Sequence, residues 1–178
     1  MKEFLIQTFA DYRTTIIFLH VISAVLWVGG MITMRFAAHA SCSMIEDPKL
    51  RMQRATHALK RLFNIAWPAA TVLIITAIFM AVGFQFREAA LDANGKVIDA
   101  YAMSLYQTVH IKEAIWIIMA INLGAMMYRR SQAAKALAED NLARAKAMLA
   151  PIAQYMVPVN IALGVIAIFM GVVLRNAH

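Results

Sequence analysis

Cysteine is nearly absent. The single Cys42 excludes an intrachain disulfide, and with it any disulfide-framed fold. Charge is scarce as well: 15% of the 178 residues are charged, where a soluble domain carries about 25%. Hydrophobic residues make up 62% and the mean hydropathy is +0.64, against roughly 45–50% apolar residues in soluble domains. One small core cannot hold that excess, but a lipid bilayer can. No internal repeat, low-complexity tract or second domain interrupts the chain, so residues 1–178 read as one transmembrane domain.

The net charge of +7 would suggest nucleic acid in a soluble protein. Here the cations flank apolar runs, which excludes that partner and assigns them to membrane orientation. The first residues, MKEFLIQTFADYR, are too polar for the apolar centre of a cleaved signal peptide, so the first span is expected to stay. The segment His39 to Cys42 has the look of a lipoprotein cleavage box. It follows a full-length span on the side read as cytoplasmic, and is set aside.

Four runs can cross a bilayer, which takes about 20 residues each: Thr15 to Phe36, Ile65 to Phe84, Leu105 to Tyr128 and Pro151 to Leu174. Each must be helical, because backbone amides in lipid need internal partners. The expected fold is all-α, an integral membrane four-helix bundle. Pro151 suits a first helical turn, and Pro68 and Pro158 predict kinks. Connections one and three hold most of the cations: Arg35, Lys49, Arg51, Arg54, Lys60 and Arg61, then Arg129, Arg130, Lys135, Arg144 and Lys146. Connection two holds only Arg87 and Lys96. This bias puts connections one and three in the cytoplasm and both termini on the non-cytoplasmic side, with a bacterial inner membrane as the setting. The basic segments on either side predict surface helices that prolong the spans, and Asn94-Gly95 predicts a tight turn.

Ionisable residues inside spans are costly and point to function. His20 lies in span one and His110 in span three. Counted inward from Arg13 and Asp99 at 1.5 Å per residue, they sit about 10 and 16 Å deep; counted from Arg35 and Arg129, about 22 and 28 Å. The two levels agree to within about one turn. Imidazoles from two helices of a bundle can grip one haem iron, the arrangement of a b-type haem site. The competing account is that each histidine only hydrogen-bonds a neighbouring helix.

Glu113, one turn beyond His110, is placed to orient a ligand or relay a proton. Lys112 is nearly opposite His110 around the helix. It either snorkels outward or neutralises a haem propionate or an acidic substrate from another side of the bundle. Trp27 and Met31 share the His20 stripe, as porphyrin contacts or as core filler. Gly29 and Gly30 allow close helix approach or leave room for a flat cofactor. Asn122 and Asn160 are expected to hydrogen-bond between helices. Met31 and Met34 are soft enough for Cu(I), and His39, Cys42 and His57 form a further candidate metal set, although methionine is also an adaptable packing residue.

The stretches FLHVISAVLWVGG (residues 18–30) and HIKEAIW (residues 110–116) resemble the HemJ-type protoporphyrinogen oxidases and the related CopD-type copper-resistance domains. His20 and Trp27 match the family's Leu-His start and the tryptophan seven residues on. His110 and Lys112 match its His-x-Lys, and RLFNIAWPA (residues 61–69) its basic, proline-containing entry to span two. The resemblance spans about 120 residues. Met34-Arg35 stands where HemJ-type proteins carry Pro-Arg, and Asn122 where they tend to carry a histidine.

The resemblance implies a haem b protein with His20 and His110 on the iron, and Trp27, Met31 and Lys112 around it. For the HemJ branch it further implies six-electron oxidation of protoporphyrinogen IX. Lys112 and Glu113 would then handle carboxylates and protons, and a quinone or other respiratory carrier would accept the electrons. The remaining readings are a plain electron-transfer cytochrome, a CopD-like copper-handling protein, and a structural subunit of a respiratory complex. A homo-oligomer is compatible with all of them.

Overall fold

The computed structural model describes residues 1–176, so His178 lies outside the described residues. Within them the chain is helical, and its only extended pairing is an isolated bridge between Leu91 and Val97. The helices are α1 (Lys2–Thr33), α2 (His39–Ser43), α3 (Pro48–Gly83), α4 (Phe86–Ala90), α5 (Ala100–Ala138), α6 (Leu142–Pro151) and α7 (Val157–Asn176). Two π-helical segments, Met34–Ala38 and Ile152–Met156, join α1 to α2 and α6 to α7 without a break. Four continuous helical rods result, each long and apolar enough to cross a membrane.

Local chemistry explains where the rods begin. Asp47 accepts hydrogen bonds from the Lys49 and Leu50 amides, and Pro48 fills the first helical position. Asp99 caps α5 through the amides of Tyr101 and Ala102, and Asn141 caps α6 through that of Arg144. The basic segments do prolong the spans, so each rod outruns its apolar run. Pro151 ends α6 instead of opening a span, because the Asn141 cap starts that helix a full ten residues earlier. Pro68 sits inside α3 without interrupting it, and the kink in α1 falls at Tyr12 (φ −118°, ψ 25°). The Asn94-Gly95 turn forms, with Gly95 at φ 81° and Asp92 accepting from the Asn94 and Lys96 amides.

Around the bundle α1 packs on α3, α3 on α5, α5 on α7, and α7 back on α1. Helices α1 and α5 therefore face each other across a diagonal. The core between them is Trp27, Met31, Phe63, Ala66, Ala70, Met119, Leu123 and Met126. Asn122 donates to Asn160 Oδ1 (2.7 Å) and to the Met156 carbonyl (2.8 Å), and Asn160 donates to the Met119 carbonyl (3.3 Å). These are the interhelical bonds expected of two amides in apolar spans. They tie α5 to the fourth rod.

At the other end of α1, Lys2 Nζ stands 2.5 Å from Glu88 Oε1. The hydrogen bond from Lys2 holds the Glu88 carboxyl below the usual carboxylate range. A carboxyl with a lowered folded-state pKa adds stability above its unfolded value, about 4.3, and loses it as pH falls through the folded value. Both side chains are exposed, so solvent screening limits the pair to a few tenths of a kcal/mol. Lowering the pH from about 6 to about 3 is expected to reduce amide protection in residues 2–8 slightly. In Glu88→Gln that protection should already be reduced and respond less, and an equal pH response in the two proteins would contradict this.

Candidate functional site

The inner stripe of α1 runs Ile16, Ser23, Trp27, Met31, all buried. His20 stands in the gap of that series, half-buried and on the same face. Its Nδ1 lies 3.0 Å from Thr76 Oγ1 on α3. The Thr76 hydroxyl has one proton, and Oγ1 sits 2.8 Å from the Val72 carbonyl and 3.0 Å from the Leu73 carbonyl. Carbonyls only accept, so that proton is committed to them, and His20 Nδ1–H must be the donor to Thr76. His20 therefore does bond a neighbouring helix, and the bond leaves Nε2 with its lone pair free, the form in which imidazole binds metals.

On α5 the buried stripe runs Leu105, Ile115, Met119, Leu123, Met126. Lys112 falls on it and turns inward. Its Nζ lies 3.2 Å from where a Cβ on Gly171 of α7 would stand. A glycine at 171 keeps that space open. No carboxylate pairs with Lys112 among the described residues. His20 with Thr76, and Lys112 beside the gap at Gly171, thus set polar side chains on inward faces of an apolar bundle.

His110 does not join it. Its side chain is 54% exposed, its Nδ1 sits 2.9 Å from Glu113 Oε2, and the Tyr106 ring meets it edge-on at 4.5 Å. No contact links the His20 and His110 side chains among the described residues, and His110 pairs within its own helix. Counting residues matched their depth, but two positions along a helix turn about 200°, and Lys112 takes the inner side that His110 was assigned. Glu113 goes with His110 to the outer flank, away from His20.

Trp27 and Met31 are 1% and 0% exposed and belong to the packed core. Trp27 Nε1 is nevertheless buried without an acceptor among the described residues, two turns from His20. Gly30 serves close approach, since a Cβ there would stand 2.7 Å from Leu62 Cδ1, whereas Gly29 has open space around it. His39 and Cys42 line one cavity and His57 another, so that set is divided. No cluster of three or more His, Cys, Asp or Glu side chains suited to a metal occurs among the described residues.

Thr76 and Gly171 complete the site and were not singled out in the sequence. Threonine at this position has only one sequence signal, a hydroxyl in an apolar run that also holds Thr71, and of the two only Thr76 is buried. Comparison of the chain with protein-family models, with curated proteins and with solved structures finds no match. What the chain is, by fold, is a helical protein with four rods able to span a membrane.

Proposed function

We propose that this is a multi-pass protein of a bacterial cytoplasmic membrane, with both termini on the non-cytoplasmic side, that binds haem b and exchanges electrons with a quinone or another respiratory carrier. The reading rests on two polar side chains on the inward stripes of facing helices, His20 on α1 and Lys112 on α5. An imidazole with a free Nε2 and an ammonium without a carboxylate ask for a ligand that offers a metal and an acid on an apolar body. An iron porphyrin with propionates has all three.

His20 qualifies as an iron ligand, Thr76 as the group that fixes its tautomer, and Lys112 as the cation for a propionate. Trp27 Nε1 is a buried donor in want of an acceptor. His110 does not qualify as a partner ligand within one copy of the chain, because it lies on the outer flank. Haem held there would supply one-electron exchange. The protein's own part is to hold the imidazole lone pair, neutralise an acid in a medium of low dielectric, and limit water by half-burying both groups.

The same cation could receive a porphyrin substrate's carboxylate, which extends the reading to protoporphyrinogen IX oxidation. Haem content of the purified protein, followed by rescue of a strain lacking protoporphyrinogen oxidation, tests both steps. Haem with rescue supports the oxidase. Haem without rescue leaves electron transfer alone, and colourless protein that purifies with copper would overturn both.

Gly171→Leu offers a check that removes no ligand. The new side chain fills the space beside Lys112 Nζ, so haem content should fall at least about tenfold, as a loss of about 1.4 kcal/mol would produce. Full occupancy in this variant would place the ligand elsewhere.

A further inference from the structure

At the basic end of the bundle a cavity of about 290 Å³ opens between the π-helical segment after α1, α2, the start of α3 and the fourth rod. That is near the lower limit of small-molecule sites, about 300–1,000 Å³. Its floor is apolar, with Leu59, Ile152 and Val157 drawn from the buried core. Arg35, Arg51 and Lys146 line it, and no aspartate or glutamate does.

These cations differ in how they are used. Arg51 spends its guanidinium on the Ile45 and Glu46 carbonyls, and elsewhere at this end Arg129 and Arg130 do the same with the carbonyls of Met148, Ala147 and Thr56. Arg35 and Lys146 have no acidic or carbonyl partner among the described residues, although Arg35 is half-buried. A second observation marks the same place. Both π-helical segments of the described chain border this cavity, Met34 and Arg35 from one and Ile152 and Ala153 from the other. π-Helical turns are rare, and they concentrate at functional sites because they distort the backbone ladder.

We infer that this cavity binds one anionic phospholipid, with its phosphate between Arg35 and Lys146 and the start of an acyl chain along Leu59, Ile152 and Val157. Arg35 closes the apolar run of the first span, so the cations stand at the depth where a headgroup phosphate meets hydrocarbon. Basic pockets between membrane helices recognise such headgroups. His39, Cys42, Met34 and Met52 also line the cavity and are soft donors, but three positive charges around them repel a metal cation.

The test is thermal denaturation of the full chain in neutral detergent. Phosphatidylglycerol is added and compared with phosphatidylcholine of the same acyl chains and with inorganic phosphate. Phosphatidylglycerol is expected to raise the midpoint by about 5 °C over phosphatidylcholine. Arg35→Gln with Lys146→Gln should lose most of that shift, measured from its own baseline. Ala55→Phe, which fills the cavity without changing charge, should lose it too. A charge-matched pair outside the cavity, Arg54→Gln with Lys60→Gln, should keep it. Equal shifts from the two lipids, a shift that survives both cavity variants, a shift lost equally in the outside pair, or the whole shift from inorganic phosphate would each overturn the inference.

Discussion

Gly83→Ala is expected to lower the thermal midpoint in detergent by several degrees, more than any other glycine-to-alanine change in the bundle. A Cβ at Gly83 would stand 2.2 Å from Phe9 Cδ1 and 2.7 Å from Phe9 Cβ. A clash with the far end of a side chain can be relieved by rotating it. Contact with Phe9 Cβ cannot, because that atom moves only with the α1 backbone. The first turns of α1 must then lift from the end of α3, and the edge-to-face contact of Phe9 with Phe84, centroids 4.9 Å apart, goes with them. Overpacking costs about 1–3 kcal/mol, and the lost aromatic pair adds about 0.5–1.5 kcal/mol.

Gly124→Ala is the matched control, since nothing lies within 4 Å of its Cβ position. It should be neutral or stabilise by up to about 1 kcal/mol through helix propensity. A Gly83→Ala protein as stable as Gly124→Ala would contradict the packing described for α1 and α3.

The second large effect concerns Lys112, and it has two parts of opposite sign. A lysine at the level of the hydrocarbon costs about 2.5–3.5 kcal/mol on insertion scales, and here no carboxylate offsets it. Lys112→Met keeps the length of the side chain and removes the charge, so the ligand-free protein should be at least as stable as the wild type. Haem retention should fall, because the acid it carries would lose its cation. Breaking a desolvated charge pair costs about 2–5 kcal/mol, which corresponds to at least about a 30-fold weaker complex. A gain in stability with a loss of binding is what a residue kept for function predicts. If Lys112→Met instead lowered stability and left haem content unchanged, Lys112 would be a structural residue and the site would lose its cation.

The spans were legible because hydropathy is a local property of each run. Asp47, Asp99 and Asn141 are equally local, since a cap needs only its own next few amides. The levels of His20 and His110 could be counted, but their direction could not. Which way α5 turns is set by the packing of Ile115, Met119 and Leu123 into the shared core, and that stripe carries Lys112 inward and His110 outward. Asn122 gave its role away, since an amide in lipid must find a partner. Thr76 did not, because its part depends on which carbonyls and which imidazole surround it. The π-helical segments left no mark either, as they depend on how the rods pass one another at the basic end.

In the proposed reading His20, and not His110, supplies the nitrogen that holds the cofactor within one chain. The most direct test of that reading is the reduced-minus-oxidised absorption spectrum of the purified wild type beside His20→Ala and His110→Ala, at equal protein and with membrane insertion verified. A b-type α-band is expected in the wild type, with its disappearance in His20→Ala and its persistence in His110→Ala. A colourless wild type, or a band that survives without His20 and vanishes without His110, would contradict it.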